Sequence, residues 1–182
     1  MVRKLKYHEQ KLLKKVDFIT WKSDNNIREV KILRKYHIQR REDYTKYNRL
    51  SGMVKSLANK IKDLNAKDPY RIEATEQLLE KLYNMGLITA AKGLVQCEGV
   101  NASNFCRRRL PVVMVKLKMT QTIKDAVKYI EQGHIRVGTE VIMDPAFLVS
   151  KNLEDFVTWT DTSKIRKHVM AYNDLRDDFD FS

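Results

Sequence analysis

Asn-Phe-Cys-Arg-Arg-Arg-Leu-Pro-Val-Val-Met-Val-Lys-Leu-Lys, residues 104–118, leads through Thr120 and the segment Ile123 to Gln132 into Gly-His-Ile-Arg-Val, residues 133–137. This stretch and its continuation to Val149 decide the fold. Between Asn104 and Gly138 the basic side chains of Arg107, Arg108, Arg109, Lys116, Lys118, Lys124, Lys128 and Arg136 face only Asp125 and Glu131. The same residues carry enough Val, Leu, Ile and Met to build a core. Positive charge on a folded scaffold suits a polyanion.

The periodicity of this stretch is helical first and strand-like afterwards. Pro111 is tolerated only near a helix start, which places a helix from Leu110 to Leu117. Ser103 is expected to cap the helical turn before it. Thr120 is the expected N-cap of a second helix, with Ile123, Val127 and Ile130 as its buried stripe and Gly133 as its stop. After Gly133 the period becomes two: Ile135 and Val137 alternate with His134 and Arg136, Gly138-Thr139 turns the chain, and Val141-Ile142 returns. Asp144-Pro145 breaks that strand. Phe147-Leu148-Val149 and Phe156 to Trp159 read as two further short strands. Ser163 caps a last helix with Ile165, Val169 and Tyr172 on one side, and the acidic end at Asp174, Asp177, Asp178 and Asp180 is expected to be a mobile tail or a partner peptide.

Working back toward the N-terminus, the pattern is mainly helical. Asp68-Pro69 reads as an N-cap followed by proline at the first helical position, where a missing N–H costs nothing. Ile72, Thr75, Leu79 and Leu82 form one face of that helix, which stops near Gly86. Residues 87–99 read as a short helix and a loop. Tyr44, Tyr47, Leu50, Val54, Leu57, Ile61 and Leu64 keep a three-four spacing that predicts a long helix from Asp43 to Leu64 packed on a core. Ile27, Val30, Leu33 and Tyr36 predict a basic amphipathic helix over Ile27 to Gln39. Val2 to Ile19 reads as a short amphipathic or extended basic arm, followed by a turn at Ser23 to Asn26. The expected fold is α+β: a basic helical N-terminal half and a C-terminal module in which two short helices pack on a small antiparallel β-sheet. Its segments are 1–40, an arm and helix; 41–103, a helical region; 104–160, the module; and 161–182, a last helix and acidic tail.

Composition narrows the partners. The chain has 182 residues and a net charge of +12, enough length for a core without disulfides. Residues 1–62 hold 18 Lys and Arg against 6 Asp and Glu, so the whole excess is N-terminal and the remainder is neutral. Cys97 and Cys106 form no Cys-x-x-Cys pair, and no histidine stands at zinc spacing, so neither a disulfide framework nor a metal site is expected. No apolar run approaches the roughly 18 residues that span a bilayer, and the chain is expected to be a soluble protein of a reducing compartment. No Gly-rich phosphate loop and no Cys-His or Ser-His arrangement points to a catalytic residue.

The succession Arg108-Arg109-Leu110, Ile123 to Gln132, Gly133-His134-Ile135-Arg136-Val137, Gly138-Thr139 and Val141-Ile142 resembles the RNA-binding domain named after the fourth protein of the small ribosomal subunit, the S-four domain. The resemblance covers roughly Arg107 to Trp159. With its basic helical N-terminal half, the whole chain is further similar to the eukaryotic members of that family found in the U-three small nucleolar ribonucleoprotein. This likeness implies a nuclear, nucleolar assembly factor of the small-subunit processome. Such a factor acts without a cofactor, helping U-three small nucleolar RNA pair with pre-ribosomal RNA for early 18S processing. It also implies association with a large acidic scaffold protein of the same particle. The competing classes are a protein of the mature small subunit and a subunit of an RNA-modifying enzyme.

Independently of the likeness, the expected RNA-binding residues are Arg107, Arg108, Arg109, Lys116, Lys118, Lys124, Lys128, His134 and Arg136. The arginine triplet is the sharpest cluster, because a guanidinium holds a phosphate through two hydrogen bonds and stacks on an unpaired base. Replacing all three is expected to weaken binding without unfolding the chain. Lys124 and Lys128, four apart, share one helix face and suit the shape-based recognition of A-form RNA.

Overall fold

The computed structural model describes residues 3–16 and 27–173. The turn expected at Ser23 to Asn26 and the acidic end from Asp174 lie outside the described residues. The helices are α1 (Tyr7–Lys15), α2 (Ile27–Lys35), α3 (Arg41–Lys62), α4 (Pro69–Asn84), α5 (Val95–Glu98), α6 (Ala102–Arg107), α7 (Leu110–Lys116), α8 (Ile123–Glu131) and α9 (Lys164–Tyr172). The strands are β1 (Ile135–Val137), β2 (Glu140–Val141) and β3 (Val157–Trp159). They form one antiparallel sheet in the order β2-β1-β3, with Arg136 opposite both Val141 and Thr158. The fold is thus the α+β arrangement expected, helical first and sheet-bearing at the C-terminal end.

Local chemistry explains most element ends. The Asp68 side chain accepts a hydrogen bond from the Tyr70 amide at 3.0 Å, with Pro69 at the first helical position of α4. Gly86 ends that helix at φ +71°, a conformation that any other residue adopts at a cost. A Cβ there would also stand 2.9 Å from the Arg108 guanidinium. Gly133 at φ +72° stops α8, and Gly138 at φ +64° turns β1 into β2. Ser163 caps α9 by accepting from the Arg166 amide.

Three expectations shift. Thr122, not Thr120, caps α8, because its hydroxyl accepts from the Asp125 amide at 3.1 Å; Thr120 is buried with its hydroxyl unpartnered among the described residues. Asn101, not Ser103, begins α6, and Ser103 lies inside the helix. Phe147 to Val149 is not a strand of the sheet. It runs against the entrance of α7 instead: the Leu110 amide donates to the Phe147 carbonyl at 2.9 Å and the Val149 amide to the Arg108 carbonyl at 2.8 Å.

Two cores result. The helical half packs Tyr36, Tyr47, Ala58, Leu79, Leu82, Val100 and Phe105 together, with the Tyr47 and Phe105 rings stacked 5.8 Å apart. The module packs Leu110, Val113, Met114, Ala126 and Ile130 of the two helices on Ile135, Val137 and Val157 of the sheet. The stripe expected along α3 is only partly used, for Tyr47 and Ile61 are buried whereas Leu50 and Leu57 stay exposed. On α2 the packed residues are Ile32 and Leu33, followed by Tyr36, while Ile27 and Val30 remain exposed. Ile72 of α4 is exposed as well, and so are Val169 and Tyr172 of α9.

Candidate nucleic-acid interface

The eight cations and one histidine singled out by sequence separate into three groups according to what each side chain touches. Arg107, at the end of α6, and Lys118, Lys124 and Lys128, around α7 and α8, are exposed and make no hydrogen bond or ion pair with another described residue. Lys124 and Lys128 stand one turn apart on the side of α8 opposite the buried Val127 and Ile130. Lys118 sits at the α7–α8 junction with φ +59°, a left-handed conformation that costs a non-glycine residue about 1 kcal/mol or more. These four present unneutralised charge to solvent.

Arg108 and Arg109 belong to a second, buried group. Their relative exposures are 8% and 3%, so the triplet is not one exposed cluster. The cause is backbone pairing with residues 147–149, which turns both side chains inward after α6 ends. Arg108 donates from Nε to the Val149 carbonyl at 2.9 Å and from Nη1 to Glu154 at 2.8 Å. Arg109 donates from Nη1 to Asp43 at 3.1 Å and to the Tyr47 hydroxyl at 3.4 Å, and that hydroxyl donates onward to the Ala146 carbonyl. Burial pushes the Tyr47 phenol above its ordinary pKa, with Arg109 opposing that shift. Replacing all three arginines should therefore destabilise the fold as well as weaken binding, since two of them neutralise largely buried carboxylates.

The third group is at the surface but engaged. Lys116 pairs with Glu154, which thus receives two cations. Hydrogen bonding from Lys116 holds the Glu154 carboxyl below its ordinary value of 4.5, helped by Arg108 and opposed by burial. A depressed carboxylate stabilises the fold above its unfolded pKa and loses that contribution as pH falls through the folded value. The wild-type urea midpoint should accordingly fall with pH below about 4.5, and the Glu154→Gln protein should lack that part of the acid-dependent loss. Arg136 donates to Thr158 at 3.1 Å and to Asp161 at 2.9 Å; Asp161 also receives Arg166, a cation that sequence reading did not single out. His134 lies 3.1 Å from the Ser163 hydroxyl and packs its ring edge-on to Tyr129, so it joins the sheet to α9.

The cysteines offer no nucleophile. Both are buried, and burial raises their pKa, that of Cys106 to about 11. Among the described residues no three of His, Cys, Asp and Glu gather as metal ligands. The N-terminal excess of charge is outward-facing, with Arg28, Lys31 and Arg34 of α2 exposed. What the surface can do is neutralise phosphates over a module whose shape its core fixes.

An RNA-binding ribonucleoprotein module of the S-four type is the class that this arrangement defines, and family comparison agrees. Residues 4–107 match the ribosomal protein S4/S9 N-terminal domain and residues 108–155 match the S4 domain. The chain belongs to the S4/S9 family. Within it, the chain is 56% identical to the mouse U3 small nucleolar ribonucleoprotein protein IMP3 over 181 residues, covering 99% of this chain and 98% of the mouse protein. It is likewise 56% identical to the protein of that name in Saccharomyces cerevisiae over 183 residues, with both chains fully covered. Similarity to the small ribosomal subunit protein uS4 of Picrophilus torridus is lower, 27% over 144 residues and 79% of each chain.

Proposed function

We propose that this protein is an RNA-binding assembly factor of the U3 small nucleolar ribonucleoprotein and the small-subunit processome, and that it works in the nucleolus. The observation that carries this reading is the end-to-end 56% identity with U3 proteins, which spans the N-terminal helices as well as the module. Within the particle its task is to hold structured RNA so that the U3 guide RNA pairs with pre-ribosomal RNA for early 18S processing. A large acidic scaffold protein of the particle is its protein partner. The RNA grip consists of Arg107, Lys118, Lys124 and Lys128, with Lys116, His134 and Arg136 on its border. Arg108 and Arg109 act beneath it as positioning residues.

Binding of this kind releases counterions, each neutralised phosphate contributing roughly 0.7 to 0.9 to the slope of log affinity against log salt. Fluorescence anisotropy of the full chain with structured U3 RNA should give a slope of several units. An affinity indifferent to salt would end this reading. Gradient fractionation supplies the cellular arm: the protein should travel with large precursor particles. Its recovery in mature 40S subunits would instead make it a constituent of the finished ribosome.

A further inference from the structure

On a chain with a net charge of +12, one surface groove has an acidic edge. It occupies about 780 Å³ between the end of α3, α4 and α5. Ile72 and Leu79 of α4 form one wall, and Leu94 and Val95 at the start of α5 form the other. Leu79 is buried, but Ile72 and Val95 are 60% and 75% exposed, so folding leaves the hydrocarbon on both sides uncovered. Paired apolar walls of this kind mark an interaction site more often than scattered surface residues do.

The lining includes two cations that are already engaged, Arg71 on the Leu64 carbonyl and Lys62 on Glu98, and two carboxylates that are not. Glu76 and Glu80, four apart on α4, both line the groove and therefore lie one above the other. Neither makes a hydrogen bond or ion pair with another described residue. A third carboxylate, Glu98, meets Lys62 at 3.3 Å, with both side chains about half exposed, and such a pair exchanges partners at little cost. None of the cations assigned to the RNA grip lines this groove, so it is a surface separate from the RNA-binding face. No strand of the sheet borders the groove, whose longest wall is the helix α4, so no strand edge is offered to an extended peptide.

We propose that this groove receives an amphipathic helix of a partner protein, with apolar residues at successive turns and Lys or Arg flanking them to meet Glu76 and Glu80. The apolar face supplies area, and the two carboxylates set the sign of the partner and its direction along α4. The site is independent of the RNA-binding reading.

The test uses the full chain and two synthetic helical peptides of about 18 residues, roughly five turns. They share leucines at three-four spacing and differ only in carrying lysine or glutamate beside them. By titration calorimetry the lysine peptide should bind and the glutamate peptide should not. The double variant Glu76→Lys/Glu80→Lys, in exposed positions and checked for an unchanged circular dichroism spectrum, should weaken the lysine peptide at least about tenfold and admit the glutamate peptide. Added U3 RNA should leave the peptide bound. Failure of the lysine peptide to bind, or binding indifferent to the charge reversal, overturns the proposal. Self-association of the wild-type chain that the double variant abolishes assigns the groove to a second copy, and equally overturns it.

Discussion

The Arg109→Ala protein should unfold about 10 °C below the wild type. Arg109 is almost wholly buried and its guanidinium reaches Asp43 at 3.1 Å and the Tyr47 hydroxyl at 3.4 Å. Removing it leaves the Asp43 carboxylate, itself only 13% exposed, without a cation, and takes a donor from the phenol that bonds Ala146. Breaking a buried pair from one side costs about 3–5 kcal/mol, chiefly because of the charge left behind. Each kcal/mol moves the midpoint of a chain this size by roughly 2–4 °C. The sign of a second change tests the cause. Asp43→Asn in the Arg109→Ala background should restore part of the loss, because it removes the stranded charge. Thermal melts followed by circular dichroism measure both, and an Arg109→Ala midpoint within about 2 °C of the wild type would show that the pair contributes little.

The second large effect is on binding alone. Replacing Arg107, Lys118, Lys124 and Lys128 together by alanine should weaken RNA binding by about 100- to 1,000-fold near 0.15 M salt and reduce the salt slope by about 3. The magnitude follows from four lost phosphate contacts, each worth about 0.8 of a power of salt concentration. Stability should be unchanged, since these exposed side chains make no hydrogen bond or ion pair with another described residue. The contrast with the neighbouring arginines is the informative comparison. Any RNA defect caused by Arg108→Ala should follow lost folding, whereas the quadruple variant should lose affinity while fully folded. Retention of wild-type affinity by the quadruple variant would refute this assignment of the grip.

Elements whose cause is local could be read from sequence: the proline-opened α4, the glycine stop of α8 and the Gly138 turn each depend on residues a few positions apart. The cap of α8 was also legible, because Thr122 has Asp125 at the third position, the spacing a capping residue favours, while Thr120 has nothing comparable. The burial of Arg108 and Arg109 was not. Their partners Glu154 and Asp43 lie 46 and 66 residues away, and three successive arginines carry no periodicity that distinguishes an inward side chain from an outward one. Phe147 to Val149 has the composition of a strand, yet its pairing was decided by the chain entering α7. On α3, spacing identified Leu50 and Leu57 as apolar but could not say that no neighbour covers them.

Arg108 and Arg109 also bear on how the chain comes apart. Adjacent in sequence, they are anchored in opposite directions, one to Glu154 of the module and the other to Asp43 of the helical half. Gln39 meets Glu131 across the same junction, and the Lys151 ammonium lies 3.6 Å from the centre of the Tyr83 ring. Neither core therefore has a complete boundary without the other. The two halves should melt together in a single transition, and a fragment cut between Arg107 and Arg108 would leave ionised side chains stranded on both sides of the cut.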